Sequence, residues 1–276
     1  MNNKNNFSDQ VIWKTGASSG IGEELCYQLS ALKAKIVLSA RNKTALEQVK
    51  ANCINKGANA DNLLVLPLDI IDYPAMPACV NTVIKQFGKI DLLINNAGMS
   101  QRSFCVDTDF SVYRQMLEVN VLGQIALTQH VLPIMINQGS GHIAVTASVA
   151  GKIGVPLRTG YCAAKHAVMG FFDALRSEVA TDNIRITTII PGFVQTNVSK
   201  NALGGTGKAT GITDENIKNG LPVDECIKQI IQGFTDGVEE IVVAKEMELG
   251  LLQLKRENPN QVFRVAEQLA QQWKQS

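Results

Sequence analysis

The sequence predicts an α/β fold in which one doubly wound domain holds a seven-stranded parallel sheet with helices on both faces. Three observations lead to this prediction. Short apolar runs alternate with longer stretches of helical periodicity along most of the 276 residues. The apolar residues are mainly Val, Ile, Leu and Ala, with only 5% aromatic residues, which is typical of a parallel sheet covered by helices. A glycine-rich turn directly joins the first run to the first helical stretch, as in Rossmann-type domains.

Seven apolar runs are the predicted strands. They read QVIWKTG, KIVLSAR, NLLVLPLD, KIDLLINNAG, GHIAVTAS, IRITTIIPG and EEIVVAK. Helical periodicity between them covers residues 21–32, 43–56, 74–87, 112–136 and 161–181. Because no linker-like break interrupts the alternation, residues 11–250 are predicted to form one domain after a polar tail at residues 1–10.

Two parts of the chain depart from this alternation. Residues 197–220 are rich in Gly, Thr and Asn and too long for an ordinary connection, so they are either a lid over a binding site or merely a mobile loop. Residues 251–276 are a predicted C-terminal helical extension. Its polar face is mostly Gln, which favours packing or an oligomer contact over membrane-surface association. Its apolar side consists of Val262, Phe263, Val265, Ala266, Leu269 and Trp273.

Composition and charge argue against several classes of protein. The formal net charge is +1 and no Lys/Arg run is present, which argues against nucleic acid as a partner. The six cysteines are scattered without a C-x-x-C pair, so neither a metal site nor a disulfide framework is expected. The start MNNKNNFSDQ is not a secretory signal, and no apolar run is judged long enough to span a bilayer. We therefore expect a cytoplasmic protein without a membrane segment.

The turn after the first strand has the pattern of a phosphate-binding loop. Gly16, Gly20 and Gly22 permit a tight turn and close approach of a diphosphate, while the following helix N-terminus supplies N–H donors. Ser18 and Ser19 add hydroxyl donors. The alternative is an ordinary strand–turn–helix connection with capping serines.

The end of the second strand predicts the choice of dinucleotide. An acidic residue there would bind the 2′-hydroxyl of NAD, but the chain offers Ser39 and Ala40 followed by Arg41 and Lys43. Because a guanidinium matches the geometry of a phosphate, we predict NADP(H) with Arg41 as the main contact. The alternative is that Arg41 is only a solvated charge.

Polar and small residues follow the later strands at the same rim. The fourth strand ends in NNAG (residues 95–98), the fifth is followed by Ser148, and the sixth runs into PGFVQT (residues 191–196). Asn120 lies within an apolar helical run, where a buried amide needs partners as a structural bracket or as part of a relay.

Tyr161 and Lys165 stand four residues apart in a predicted helix and therefore share one face. Taken alone, this pair is explained by packing of the Lys stem on the Tyr ring. The alternative is chemical, because a cation beside a phenol lowers the phenol pKa and makes it a usable proton donor.

In this order the segments Thr15–Gly22, Asn95–Gly98, Asn120, Ser148, Tyr161 with Lys165, and Pro191–Thr196 resemble the short-chain dehydrogenase/reductase superfamily. MSQRS, GYCAAKHA and GFF are similar to its member-7 and member-7B branches. The resemblance implies an NADP(H)-dependent oxidoreductase that interconverts a carbonyl and an alcohol of a small lipophilic compound, such as a steroid, retinoid or quinone. It also implies a homodimer or homotetramer, and endoplasmic reticulum association if a longer natural form carries an anchor.

The resemblance also implies roles for single residues. Tyr161 would be the general acid/base, and Lys165 would lower its pKa and hold the nicotinamide ribose. Ser148 would orient the substrate carbonyl, and Asn120 would hold a relay water. The residues expected to contact the cofactor are Thr15, Gly16, Ser18, Ser19, Gly20, Ile21, Gly22, Arg41, Asp69, Ile70, Asn96, Ala97, Gly98, Tyr161, Lys165, Pro191, Gly192, Val194 and Thr196.

One residue departs from the family pattern, and two other functions remain open. Lys14 precedes the glycine turn where an apolar residue is usual, so its charge must reach solvent or find a partner. A catalytically silent NADP(H)-sensing protein would keep the same fold, although all four catalytic positions are filled. An epimerase or dehydratase is disfavoured because its G-x-x-G-x-x-G turn and larger substrate domain are absent.

Overall fold

The computed structural model describes residues 7–275 and contains one sheet of seven parallel strands in the order β3-β2-β1-β4-β5-β6-β7. This confirms the predicted α/β fold class. The strands are β1 (Val11–Thr15), β2 (Lys35–Ser39), β3 (Leu63–Val65), β4 (Leu92–Asn95), β5 (Gly141–Thr146), β6 (Ile184–Pro191) and β7 (Glu240–Val243).

Helices cover both faces of the sheet. One apolar core joins the sheet to α1, α2 and α8, and a second joins the opposite face to α3, α5 and α6. The helices are α1 (Gly20–Ala31), α2 (Lys43–Asn55), α3 (Met76–Phe87), α4 (Phe110–Leu117), α5 (Gly123–Gln138), α6 (Thr159–Glu178), α7 (Glu215–Lys218), α8 (Val223–Thr235), α9 (Glu246–Glu257) and α10 (Pro259–Gln275).

The strand order reverses direction at β1 and β4. The chain runs outward from β1 through β2 to β3 and then returns to place β4 on the other side of β1, where Ile12 pairs with both Ile36 and Leu92. Connections leave the carboxyl ends of these two strands in opposite directions and open a crevice between them. The sequence motifs of the predicted site all lie at this edge.

The third strand is shorter than predicted. NLLVLPLD forms a regular strand only over Leu63–Val65, although the N–H groups of Leu66 and Leu68 still bond to β2 and the residue after it. Pro67 lies between them and has no N–H to donate, so the end of this edge strand is irregular.

Residues 110–138 form one continuous helix with a change of pitch. A single π-helical turn, Glu118–Leu122, joins α4 to α5, and the N–H of Gly123 bonds to the carbonyl of Glu118, five residues earlier. By length and composition this helix could cross a membrane, with a mean hydropathy of 1.4, so the expectation that no apolar run is long enough was wrong. Core helices pass the same test, and Leu127 and Val131 of α5 are buried against the sheet.

Lys14 lies in the middle of the sheet. Its side chain is 0% exposed, and its Nζ donates to the carbonyl of Thr15 at 3.3 Å. No ion pair among residues 7–275 includes it. Lys14 therefore neither reaches solvent nor finds a charged partner, as the sequence had suggested it must. Instead, burial lowers its pKa to about 7.

Residues 197–220 pack against the loop after β4. The N–H of Leu203 donates to the carbonyl of Ser100 and the N–H of Arg102 returns a bond to Leu203, both at 2.8 Å. The short helix α7 follows. At the other end of the chain, residues 1–6 of the predicted polar tail lie outside the described residues, whereas Phe7 is buried in the core.

Candidate active site

The predicted site residues come together. Every one of them, from the glycine turn to Thr196, lines one cavity of about 490 Å³ at the carboxyl edge of the sheet. A cavity of this size suits a small organic ligand. Among residues 7–275, no group of three or more His, Cys, Asp or Glu side chains could hold a metal ion.

The glycine turn leaves no room for side chains. Gly16 has φ 63°, and a Cβ on Gly22 would lie 1.8 Å from the carbonyl oxygen of Gly16. Only glycine at these positions brings the N-terminus of α1 against the turn. Ser19 precedes α1 and its hydroxyl makes no capping bond, so it is available to a ligand. This cradle fits a diphosphate.

Thr15 joins the glycine turn to the loop after β4. Its Oγ1 accepts from the backbone N–H of Asn96 at 2.9 Å and of Ala97 at 3.0 Å. The Asn96 side chain donates back to the carbonyl of Thr15 at 3.2 Å. These bonds fix the two loops that form the floor of the crevice.

The end of β2 presents a positive charge without a competing acid. Arg41 is exposed and takes part in no ion pair among residues 7–275. The Ser39 hydroxyl is already engaged, because it accepts from Trp13 Nε1 at 2.9 Å and donates to Leu66 O at 2.7 Å. Asp69 is the one carboxylate in the cavity lining. Arg41 is therefore free to bind a phosphate.

The π-helical turn places Asn120 against the loop after β4. Its Oδ1 accepts from the N–H of Met99 at 3.1 Å and its Nδ2 donates to Met116 O at 3.0 Å. A Cβ on Gly98 would lie 2.7 Å from Asn120 Oδ1 and 3.7 Å from Lys165 Nζ. Because Gly98 has no side chain, the space between these two polar groups stays open.

Lys165 is buried one helical turn beyond Tyr161. Its Nζ donates to the carbonyl of Thr146 at 2.8 Å and lies 5.7 Å from the centroid of the Tyr161 ring. Burial lowers the pKa of Lys165 to about 8. This lysine is held in the cavity wall as a weak cation.

The electrostatics around Tyr161 differ from the sequence-based expectation. Burial raises the pKa of the phenol, while a hydrogen bond with Ser148 and the charge of Arg158 act in the opposite direction. The Lys165 ammonium is turned to a backbone carbonyl and is itself weakened by burial, so its expected effect of lowering this pKa stays a prediction. The effective cation is Arg158.

The loops after β5 and β6 are braced against each other. Ser148 Oγ accepts from the N–H of Ala150 at 3.1 Å and donates to Pro191 O at 3.4 Å. The buried carboxylate of Glu248 on α9 accepts from the N–H of Phe193 at 2.7 Å. Glu248 supports the loop after β6, and no signal in the sequence pointed to it.

Sequence reasoning missed other residues around the cavity. Of Val198, Leu203 and Ile212, apolar residues of residues 197–220, only Val198 lines the cavity, because Leu203 packs on α4 and Ile212 is 56% exposed. Further lining residues, to which the sequence assigned no contact with a ligand, come from the loop after β4, the α4–α5 helix, the segment after β6 and α7. They are Met99, Ser100, Gln115, Val119, Asn197, Asn201 and Ile217.

Comparison of the sequence with known proteins finds a family and close relatives. The short chain dehydrogenase family model matches residues 10–205. The chain is 44% identical to human dehydrogenase/reductase SDR family member 7, over 87% of this chain and 71% of that protein. It is 35% identical to the zebrafish (Danio rerio) dehydrogenase/reductase SDR family member 7B, over 87% of this chain and 78% of that protein.

Solved structures share the fold. A short chain dehydrogenase/reductase from Burkholderia phymatum, in complex with NAD, aligns with a TM-score of 0.81 at 23% identity and covers 92% of this chain and 95% of that one. Levodione reductase aligns with a TM-score of 0.75 at 26% identity, covering 86% and 96%. An alcohol dehydrogenase from Thermococcus sibiricus, complexed with 5-hydroxy-NADP, gives 0.73 at 23%, covering 87% and 97%.

Proposed function

Because the chain belongs to the short-chain dehydrogenase/reductase family, we propose that it is an NADP(H)-dependent oxidoreductase that interconverts a carbonyl and an alcohol. One observation carries this proposal. A single cavity brings the diphosphate cradle and Arg41 together with Ser148, Tyr161 and Lys165. These are the groups needed to bind a dinucleotide and to move a proton beside it.

NADP(H) fits the residues at the two ends of the crevice. The glycine turn and the N-terminus of α1 would hold the diphosphate, and Arg41 would bind the 2′-phosphate. When bound, the nicotinamide supplies or accepts the hydride. The structural neighbours were solved with NAD and with a derivative of NADP, so the choice of NADP(H) rests on Arg41 and on the absence of an acid at the end of β2.

The side chains at the other end would handle the proton. In reduction, Tyr161 donates its hydroxyl proton to the substrate oxygen while the Ser148 hydroxyl stabilises the charge that develops there. Lys165 would hold the nicotinamide ribose. Asn120, fixed by its two bonds in the π-helical turn, would hold a water that relays protons towards Lys165.

The cavity lining favours an uncharged, lipophilic substrate. Among residues 7–275, the charged residues that line it are Arg41, Asp69 and Lys165, all of which are assigned to the cofactor side. A bulky carbonyl compound of the steroid, retinal or quinone type suits the remaining lining better than an acid or a phosphorylated sugar. We also propose that residues 197–220 cover the bound substrate. Equal protease cleavage of this segment with and without NADPH and ketone would contradict a lid.

Turnover tests the function as a whole. Wild-type protein with NADPH should reduce members of a panel of lipophilic ketones and aldehydes, and Tyr161→Phe should lower kcat by about 10²–10⁴-fold without loss of cofactor binding. Tyr113→Phe is the matched control, because it removes a phenol hydroxyl bonded to Thr159 just before Tyr161. Binding of NADPH without turnover of any carbonyl would favour the sensing protein, and full activity of Tyr161→Phe would remove the assigned proton donor.

A charge reversal tests the cofactor. Arg41→Asp should shift preference from NADPH towards NADH by about 10-fold or more, because it removes a phosphate partner and adds repulsion. The control Lys85→Asp makes the same charge change at an exposed position of α3, outside the cavity lining. If the ratio of kcat/KM for the two cofactors does not move, Arg41 is only a surface charge.

We further propose a homodimer or homotetramer. The α4–α5 helix packs on the sheet on one side and exposes Leu117, Leu122 and Ile136 on the other. Closed symmetric assemblies are the usual way to cover such a face. Light scattering that shows only monomer would contradict this.

A further inference from the structure

A buried charge cluster lies directly before the helix that carries Tyr161. Arg158, the residue before α6, is 8% exposed, and its guanidinium contacts three groups, one of which is the carbonyl of Gln101 at 3.4 Å. Its Nη2 lies 2.9 Å from Asp214 Oδ2, and its Nη1 donates to Ser100 Oγ at 2.8 Å. Ser100 belongs to the cavity wall. Arg158 thus touches the wall of the cavity, residues 197–220 and the start of α6.

The cluster carries more positive than negative charge. Asp214 Oδ2 also accepts from Arg102 Nη1 at 2.8 Å, so two guanidiniums share one carboxylate oxygen. Asp214 is 9% exposed, and its other oxygen accepts from the N–H of Asn216 at the start of α7. A buried cation that is only half neutralised acts strongly on nearby titrating groups.

Asp214 belongs to residues 197–220 and joins this segment to the two arginines. Its N–H donates to Ser199 Oγ at 3.1 Å, and its carboxylate pairs with Arg102 and Arg158 outside that segment. The surface ion pairs of the chain are exposed to water and easily exchanged. The ion pair between Arg158 and Asp214 is shielded from water, so its geometry is kept.

We propose that Arg158 is a positioning residue for the proposed reaction: it ties residues 197–220 and Ser100 to the start of α6 and supplies positive charge about one helical turn before Tyr161. Asp214 sets how much of that charge Tyr161 experiences. The position of residues 197–220 is thereby coupled to the proton donor. This inference rests on the proposed function for the role of Tyr161.

The groups that face Tyr161 define what each substitution does. They are Lys165 and Cys162 on α6, Arg158 before it, the Ser148 hydroxyl after β5, and Asp214 and Arg102 behind Arg158. Removal of the Arg158 charge raises the pKa of Tyr161, because Arg158 favours phenolate. Removal of the Asp214 charge lowers it, because the arginines are then no longer neutralised. A merely structural role would give both substitutions the same sign.

Titration of Tyr161 tests this without turnover. The near-ultraviolet absorbance of tyrosinate is followed in the full chain, and the curve of the same protein with Tyr161→Phe is subtracted. Arg158→Gln should move the Tyr161 transition to higher pH and Asp214→Asn to lower pH. Arg176→Gln, which removes an arginine from the far end of α6 where it pairs with Asp173, should not move it. Shifts of equal sign, or no shift, in the first two variants would overturn the proposal.

Two further measurements keep the test decisive. Arg158→Lys keeps the charge but not the two-pronged contact, so its transition should lie near that of wild type even if Arg158→Gln fails to fold; a transition moved upward would overturn the proposal. In reduction of a ketone, the pH at which kcat/KM falls should move in the same directions as the titration. If wild type reduces no carbonyl, the proposed function fails while the titration still decides the role of Arg158.

Discussion

Two lysines, Lys14 in the sheet and Lys165 in the cavity wall, have almost the same electrostatic state. They are 0% and 4% exposed. Each donates to a backbone carbonyl, Lys14 to Thr15 and Lys165 to Thr146. Burial lowers their pKa values to about 7 and about 8. By charge and burial alone, either could be the functional residue.

Their neighbours separate them. Lys165 lines the cavity and lies beside the Tyr161 ring, with Gly98 close to its Nζ. Lys14 is enclosed between β2 and β4, where it is in register with Leu38 and Ile94. A perturbed pKa marks a functional site only where a ligand can reach the group. Lys14 therefore shows what the same perturbation looks like without a function in the proposed reaction.

The sharpest way to break this comparison is a matched pair of substitutions. Lys165→Met should lower kcat/KM for a ketone by about 10²-fold or more, because it removes the group assigned to the ribose and the proton relay. Lys14→Met should leave kcat/KM near wild type. Steady-state kinetics with NADPH measures both. Comparable losses in the two variants would mean that Lys14 also serves the reaction.

The free energy of unfolding should change in Lys14→Met, although kcat/KM should not. Lys14→Met should raise the free energy of unfolding by about 2–3 kcal/mol, because an amine without a charged partner is replaced by an apolar chain of similar length. Urea unfolding at neutral pH measures this change. Lys85→Met, on the exposed side of α3, is the control and should change little. A less stable Lys14→Met protein would show that the amine makes a stabilising contact in the folded protein.

The smallest expected effect is the pH dependence of stability. The pKa of Lys14 is about 7 when folded and near 10.4 when unfolded, so between these values the unfolded chain binds more protons. Stability should therefore rise with pH across this window, by about 1 kcal/mol between about pH 7.5 and 8.5. The wild-type minus Lys14→Met difference isolates this residue from Lys165. A flat difference would place the Lys14 pKa outside the window.

Local patterns explain what was predictable. Strand and helix periods, the glycine turn and the four-residue spacing of Tyr161 and Lys165 are each set by neighbours in sequence, and the parallel topology then places all strand ends at one edge. The cavity follows from these rules. Asn120 was located in the same way, as a polar residue in an apolar helix, whereas Asp69 came only from the family resemblance.

Contacts between distant segments explain the rest. The bond between Arg158 and Asp214 spans 56 residues, and no pattern in one sequence pairs them. The direction in which Lys165 Nζ points depends on the Thr146 carbonyl at the end of β5, which the sequence around Lys165 does not specify. The deprotonation of Lys14 likewise depends on the depth of its burial.

The π-helical turn at Glu118–Leu122 has a consequence for insertions and deletions. A π turn holds one residue more than an α-helix needs, so loss of a single residue from it would give a regular helix. The flanking helices would keep their faces, because a π turn winds its residues through about the rotation that one residue fewer completes in an α-helix, and only the residues within the turn would shift. The Asn120 amide would then face away from Gly98 and Met99. Insertions and deletions in this helix are therefore constrained by the need to keep the Asn120 amide in place. A variant with a regular α-helix here would hold that amide in a poorer position for the proposed relay.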